Sequence, residues 1–214
     1  YSWLQYVLLK KMYSCKMTIL GDKAQTMDDE TQDVLSFLPE IFGKNIKKIT
    51  MNKSYRNTVE ISEYANHLAG ITDVEVFHRH GKPVAEKKVI SMEEALEDVW
   101  ERLFGQKEEY ETTAVITRTE AEAFFAYTYL KGKLERSGMD EEKKLSFLDR
   151  NSSSFCRGVT VSAFYLAKGL EFDRVFAVFP SEGKDALTVQ GKYIAATRAL
   201  HELYVYEIET SVYN

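Results

Sequence analysis

Charged side chains of the types that bind phosphate stand beside predicted strand and helix ends along the sequence. They are Arg56, Arg118, Lys168 and Arg198, and the carboxylate of Glu171 follows Lys168 closely. Arginine presents a planar fork of N–H donors that matches phosphate oxygens, and it stays charged at any working pH. Open parallel sheets bind ligands in the crevice at the carboxyl ends of their strands. We therefore expect the arginines and the lysine to converge on that edge, around a phosphate-bearing ligand.

The composition limits what the chain can do. Its 214 residues, 44% of them hydrophobic, are enough for one large domain with a sizeable core. A net charge of -5 argues against a protein that coats nucleic acid, although it is compatible with a local basic groove. Cys15 and Cys156 lie far apart and show neither metal-ligand nor disulfide spacing. This usage favours a reducing cytoplasm.

Membrane and metal sites find no support in the sequence. No apolar run is long enough to span a bilayer, and the N-terminus has no features of a signal peptide. His78 and His80 would share one face of a strand, but no third ligand is visible. No metal ligand is therefore assigned.

Helical and extended patterns alternate along the whole chain. Helical spacing of apolar residues predicts helices within 1–14, 52–70, 91–105, 119–138 and 189–202. Extended patterns predict strands within 17–22, 73–91, 112–117, 144–149, 158–166, 174–180 and 203–209. Predicted capping boxes pair Asn57 with Glu60, Ser91 with Glu94 and Thr119 with Glu122. The alternation predicts an α/β fold with a mostly parallel sheet covered by helices.

Several blocks of the sequence, in order, resemble the later motifs of superfamily 1 DNA helicases of the UvrD/Rep/PcrA kind. "LGDKAQTM" is similar to the third motif, "NKSYRNTVEI" to the fourth, "AKGLEFDRVF" to the fifth and "YIAATRALHELYVY" to the sixth. One such block would be a weak signal, but together they extend over nearly the whole chain. Their wording is closest to the HelD-like and helicase IV-like branch.

This resemblance implies a RecA-like, P-loop NTPase-type fold. Residues 1–50 would be the tail of a first RecA-like domain, and residues 51–214 would be the second, with ATP bound between the two. The phosphate-binding loop and the acidic Mg²⁺ motif belong to the first domain and are absent from this sequence. ATP and Mg²⁺ binding would therefore need that domain, and this chain alone is expected neither to hydrolyse ATP nor to bind it tightly.

The resemblance also implies catalytic roles. Gln25 would sense the γ-phosphate from the edge of the first domain. Arg56 and Arg198 would reach the same phosphate as arginine fingers, which neutralise the charge that grows as the phosphoryl group leaves. They would meet ATP only when the cleft closes, which would couple chemistry to domain motion. A helix-surface ion pair with Glu202 is the alternative for Arg198.

Further positions of the motifs would bind the nucleotide. Tyr55 would stack on the adenine, Lys168 and Gly169 would shape the turn near the phosphates, and Glu171 would accept a hydrogen bond from the ribose hydroxyl. As alternatives, Tyr55 could pack the helix start against the core, and Glu171 could be a solvated acid beside Lys168.

The sequence departs from the family at positions that contact DNA. After the third motif the chain reads "QTMDDETQDVLSF", with the consecutive acids Asp28, Asp29 and Glu30 where an aromatic residue would stack on single-stranded DNA. The fifth motif begins "AFYLA" in place of T-x-H, and the segment before it is too short for the inserted duplex-binding domain. These departures leave strand unwinding open but do not affect the positions that face ATP.

Three functions therefore compete. The first is the motor half of an ATP-dependent helicase or translocase, an ATP hydrolase that acts on single-stranded DNA or a single-strand/double-strand junction. The second is a HelD-like ATP-driven factor that remodels and recycles RNA polymerase. The third is a non-catalytic binding module descended from the motor. The apolar surface of residues 1–27 is expected to support self-association through an unpaired strand.

Overall fold

The computed structural model describes residues 2–22, 37–72, 74–105, 110–138, 145–152, 157–181 and 186–209. The chain separates into two compact units, Tyr1–Asn52 and Lys53–Asn214. The assignment of residues 1–50 to a first RecA-like domain stays a prediction. Among the described residues, no helix combines the length and the apolar composition that crossing a membrane requires.

The smaller unit contains helices α1 (Trp3–Met12) and α2 (Leu38–Phe42). Helix α1 begins with a complete capping box between Ser2 and Gln5. Tyr6 of α1 packs against Leu38 and Ile41 to form a small apolar cluster. Residues 17–20, which the sequence predicts to be a strand, are not among the strands of the described chain. An extended segment becomes a strand only when a neighbour pairs with its backbone groups, and no such neighbour lies in the described part of this unit.

The larger unit contains the remaining elements. Its helices are α3 (Val59–Ala69), α4 (Met92–Phe104), α5 (Glu120–Ser137) and α6 (Ala186–Ala196). Its strands are β1 (Lys53–Ser54), β2 (Glu75–Val76), β3 (Ala85–Val89), β4 (Thr112–Thr117), β5 (Leu145–Leu148), β6 (Gly158–Ala163), β7 (Phe172–Pro180) and β8 (Ala199–Ile208). Strands β1 and β2 form a small parallel ladder.

A six-stranded sheet in the order β3-β8-β7-β4-β6-β5 organises this unit. All of its ladders are parallel. This confirms the predicted α/β class. The central strands are buried on both faces, as their continuous apolar sequences predict.

Helices cover both faces of this sheet. Helices α4 and α5 pack on one face through Leu96, Val99 and Leu130. Helix α6 lies on the opposite face, close to β7: a Cβ atom on Gly191 would come within 2.6 Å of the Phe179 ring. Glycine is therefore required there because the helix backbone approaches an aromatic side chain.

The helix starts differ from the predicted capping boxes at two of three places. The Thr119/Glu122 box of α5 is complete, as predicted. At α4, the Ser91 hydroxyl accepts from the backbone N–H of Glu94, but the Glu94 carboxylate accepts from the N–H of Ile90, 2.8 Å away. At α3, the prediction is wrong, because Thr58 caps the helix in place of Asn57. The Asn57 side chain is engaged in a long-range contact that local sequence does not reveal.

Candidate functional site

Residues 55–58 connect β1 to α3 and carry the block that resembles the fourth motif. Tyr55 is 64% exposed, and its ring lies 5.7 Å from the ring of Phe77 at a tilted angle. Phe77 is itself exposed, so this contact does not pack the start of α3 against the core, which was the alternative role considered for Tyr55. The ring presents an accessible aromatic face on which a planar base could stack.

Arg56 meets the residue predicted to bind the ribose. Its Nε atom lies 2.6 Å from Oε1 of Glu171, and both side chains are about half exposed, at 46% and 44%. Glu171 comes directly before β7. The structure therefore brings the fourth and fifth motif blocks together through an ion pair that solvent, or a ligand, can reach.

Arg198 connects the fifth and sixth motif blocks. It was predicted to lie on the helix, but the structure places it in the turn between α6 and β8, because α6 ends at Ala196. Its guanidinium donates to the carbonyl of Leu170 at 3.3 Å and to the hydroxyl of Thr197 at 3.1 Å. Its own carbonyl accepts from the N–H of Phe172 at 2.9 Å. Arg198 is only 3% exposed. Its bonds to Leu170 and Phe172 fix the turn before β7 to the turn before β8.

Two side chains tie the fourth block to the sixth. Asn57 donates from Nδ2 to the carbonyl of Ala199 at 2.6 Å. Arg79, in the segment after β2, donates from Nη2 to the carbonyl of Arg56 and, at 2.7 Å, to that of Leu200. These bonds hold the segment that carries Arg56 against the start of β8.

Lys168 and Gly169 lie in the short crossover from β6 to β7. Gly169 has a φ of +84°, a left-handed conformation that favours glycine. The preceding turn is closed by a bond from the N–H of Leu170 to the carbonyl of Ala167, at 3.1 Å. The Lys-Gly pair thus forms the turn that delivers Glu171 to the start of β7, which gives a structural reason for the glycine.

The edge on which these residues gather differs from the predicted one. Glu171 and Arg198 precede β7 and β8, so they lie at the amino ends of the parallel strands. Arg118 follows β4 at the carboxyl end, where its N–H donates to the Glu122 carboxylate. The expectation that Arg118 joins the others at the carboxyl edge is therefore wrong. The physical reason is that the crossover carries the Lys-Gly-Leu-Glu turn across the sheet before the next strand begins.

An open cavity of about 490 Å³ lies at the same amino edge. Its lining includes Arg79, Lys82, Asp173 and His201, but none of the site residues predicted from sequence. Lys82 pairs at 2.9 Å with the buried carboxylate of Glu202, which also faces the buried Arg174. Sequence reasoning missed these residues. The only available signal was the cluster of cations in "HRHGK", which was interpreted as part of an extended strand.

Glu60 shapes the wall of this cavity from the first turn of α3. Its carboxylate accepts from the N–H of Gly81 at 2.9 Å and contacts the His80 ring at 3.0 Å. Burial opposes its ionisation, but hydrogen bonds from its own N–H, His80 and Gly81 outweigh burial and lower the pKa of Glu60 to about 2. Glu60 is thus ionised at neutral pH and holds the 79–82 turn against α3. Gln25 lies outside the described residues.

A solved structure shares this fold, and two others align more weakly. The C-terminal domain of a possible DNA helicase from Lactobacillus plantarum WCFS1 superimposes with a TM-score of 0.56 and 24% identity, over 72% of this chain and 88% of that one. The PRRSV helicase aligns at a TM-score of 0.36 and 14% identity, over 77% of this chain and 24% of that one. An arterivirus nonstructural protein 10 helicase, solved with DNA, aligns at 0.37 and 10%, over 58% and 28%.

No protein-family model and no curated protein matches the sequence. The fold class therefore rests on the parallel sheet itself and on its similarity to the Lactobacillus domain, and it is a mostly parallel α/β sheet with flanking helices. The two viral alignments are too distant to add to this conclusion.

Proposed function

We propose that this chain is the C-terminal motor domain of an ATP-dependent superfamily 1 DNA helicase or translocase. The observation that carries the proposal is the meeting of Arg56, Glu171 and Arg198 at one edge of the sheet, through the contacts Arg56–Glu171 and Arg198–Leu170. The resemblance assigns these residues to one nucleotide site. They come from separate parts of the sequence, so their convergence is not a consequence of local structure.

The residues present fit half of an ATP site. Tyr55 offers an exposed ring for the base, Glu171 an acceptor for a ribose hydroxyl, and Arg56 and Arg198 cations for the phosphates. When bound, Mg²⁺ would neutralise phosphate charge, and its ligands would come from the first RecA-like domain, as would the phosphate-binding loop. Gln25, in the region predicted to be the tail of that domain, would contribute to sensing the γ-phosphate.

The two arginines would act differently. Arg56 is half exposed and can exchange its contact with Glu171 for a phosphate without unfolding any turn. Arg198 is buried and donates to the Leu170 carbonyl, so it would reach a phosphate only if the turn before β7 shifts. Cleft closure is the event that would supply this shift. Arg56 is therefore the finger that acts directly, and Arg198 also sets the geometry of the edge.

ATP turnover of the full-length protein tests this function. Replacing Arg56 by alanine should lower kcat by roughly 10³-fold, as the loss of an arginine finger does elsewhere. The matched control is Arg157→Ala, because Arg157 is an exposed arginine directly before β6 at the same edge, with a long ion pair of 3.6 Å to Glu111. Equal turnover of the two variants would contradict the proposal.

One observation favours the HelD-like alternative, in which the motor remodels RNA polymerase. Helix α5 ends at Ser137 and the strand that leads into the fifth block begins at Gly158, with β5 in between. This connection leaves no room for an inserted duplex-binding domain. Strand-displacement assays and release of RNA polymerase from a DNA–RNA scaffold, both with the full-length protein and ATP, separate the two functions. Displacement without release supports the helicase, and release without displacement supports the alternative.

A further inference from the structure

Arg79 makes its side-chain contacts with backbone carbonyls of two distant segments. Its Nη2 atom donates to the carbonyl of Arg56 and to the carbonyl of Leu200, the latter at 2.7 Å. One nitrogen of a guanidinium carries two hydrogens, so a single group can satisfy both acceptors. Leu200 lies two residues after Arg198. Arg79 therefore connects the main chain of one proposed arginine finger to the strand that follows the other.

The backbone around Arg79 is itself fixed. Its N–H donates to the carbonyl of Phe77 at 2.7 Å, and its carbonyl accepts from the N–H of Val59 at 2.9 Å. Phe77 in turn donates to the carbonyl of Ser54, just before Tyr55. The segment that carries Arg79 therefore runs alongside residues 54–59. The side chain of Arg79 crosses from this segment to the main chain of β8.

The charge of Arg79 is not used in an ion pair with any residue that the structure describes. Within the described part of the chain, no carboxylate lies within salt-bridge distance of its guanidinium, and its Nε atom has no hydrogen-bond partner. Hydrogen bonds from a charged donor are stronger than those from a neutral one. The bonds from Arg79 to the carbonyls of Arg56 and Leu200 therefore belong to the stronger class. The positive charge of Arg79 also adds positive potential at the edge where an anionic ligand would bind.

We propose that Arg79 is a positioning residue for the nucleotide site: it fixes the main chain of Arg56 at a set distance from β8, so that Arg56 faces the same ligand as Arg198. This inference rests on the proposed function. Arg79 has no assigned contact with the nucleotide and acts through Arg56. Displacing a catalytic group by about 1 Å can cost on the order of 10²-fold in rate. Loss of the clamp is therefore expected to reduce catalysis more than binding.

Steady-state kinetics of the full-length protein test the proposal. Arg79→Ala should lower kcat for ATP by about 10- to 100-fold while KM changes by less than about threefold. Arg157→Ala, which removes an exposed arginine from the same edge, should leave kcat within about twofold of the wild type. In an Arg56→Ala background, the effect of Arg79→Ala should shrink to less than about threefold, since its action passes through Arg56.

The outcomes separate this inference from the proposed function. If Arg56→Ala leaves ATP turnover unchanged, the proposed function fails, and the inference fails with it. If Arg56→Ala abolishes turnover but Arg79→Ala behaves like Arg157→Ala, only the inference is overturned. A fall in kcat that persists undiminished in the Arg56→Ala background also overturns it, because it would show a purely structural effect.

A second variant covers the case in which Arg79→Ala does not fold. Arg79→Lys keeps the charge and the donors but loses the planar guanidinium that reaches both carbonyls. Its thermal unfolding should match the wild type more closely than that of Arg79→Ala, and its kcat should fall by about 3- to 30-fold. Wild-type kcat in a folded Arg79→Lys protein would overturn the inference.

Discussion

The Arg56 Nε atom lies 2.6 Å from the Glu171 carboxylate, although the two residues lie far apart in the sequence. Half-exposed ion pairs of this kind contribute at most about 1 kcal/mol. A nucleotide that offers a ribose hydroxyl to Glu171 and phosphate oxygens to Arg56 can therefore replace the contact at small cost. The ion pair places the Arg56 guanidinium and the Glu171 carboxylate where a single nucleotide could contact both groups.

Replacement of Glu171 should remove sugar recognition. The wild-type full-length protein is expected to prefer ATP over 2′,3′-dideoxy-ATP by about tenfold in kcat/KM, since a charged acceptor for a hydroxyl contributes on the order of 1.5–3 kcal/mol. Glu171→Ala should turn over both nucleotides at similar efficiency. Glu111→Ala removes an exposed carboxylate from the same edge and should keep the preference. A preference that survives in Glu171→Ala would exclude Glu171 from the sugar site.

The two arginines should differ in what they contribute to folding. Arg56→Ala removes only an exposed contact and should change the free energy of unfolding by less than about 0.5 kcal/mol. Arg198→Ala removes a buried guanidinium that links two turns and should lower it by roughly 2–4 kcal/mol. Urea unfolding of this chain measures both. Equal effects of the two substitutions would contradict the different burial of the two side chains.

Alanine should be tolerated differently at two glycines. Gly169 has a φ of +84°, so Gly169→Ala should destabilise the chain by about 1–2 kcal/mol through backbone strain. Gly132 lies within α5, where an added Cβ would meet nothing within 4 Å, and Gly132→Ala should stabilise it by up to about 1 kcal/mol. Thermal unfolding of both variants should give shifts of opposite sign. Two shifts of the same sign would be inconsistent with the left-handed turn at Gly169.

Glu60 should make stability depend on pH in the acid range. Its pKa falls from an ordinary value of 4.5 to about 2 in the folded chain, because hydrogen bonds favour the ionised carboxylate. A carboxylate with a lowered folded pKa stabilises the protein above its unfolded pKa, and this stabilisation is lost as the pH falls through the folded pKa. Glu60→Gln should therefore lower the free energy of unfolding by about 1–3 kcal/mol at pH 7, and by less at pH 3.

Unfolding by urea at both pH values gives this comparison. Glu63→Gln is the control, since it removes an exposed carboxylate from the same helix. A difference between wild type and Glu60→Gln that stays constant from pH 7 to pH 3 would show that the hydrogen bonds of Glu60 to the 79–82 turn are not charge-dependent.

Local patterns predicted most helices and strands of the larger unit, whereas the strand predicted within 17–22 is not among the strands of the described residues and helix α2 was not predicted. The complete capping box of α5 and the buried central strands depend on the spacing and composition of residues that are neighbours in the sequence. The α6 helix was predicted too long, because Arg198 and the residues after it carry helical spacing although β8 already begins at Ala199. Pairing with β7 outweighs that local preference.

The site was only partly predictable because its geometry is set by long-range contacts. Motif resemblance identified Arg56, Glu171 and Arg198, which the structure joins, but the expected carboxyl edge was wrong. The Asn57 contact with Ala199 and the Arg79 contacts with Arg56 and Leu200 depend on tertiary structure. No periodicity or cap signal distinguishes such residues from ordinary polar side chains.

A crystal structure of the full-length protein with Mg²⁺, ADP and aluminium fluoride tests the central claim most directly. The account predicts that Arg56 has left Glu171, that guanidinium nitrogens of Arg56 and Arg198 lie within about 3.2 Å of the fluoride or phosphate oxygen positions, and that Glu171 accepts from the ribose. A nucleotide bound elsewhere, with the 2.6 Å contact between Arg56 and Glu171 intact, would contradict it.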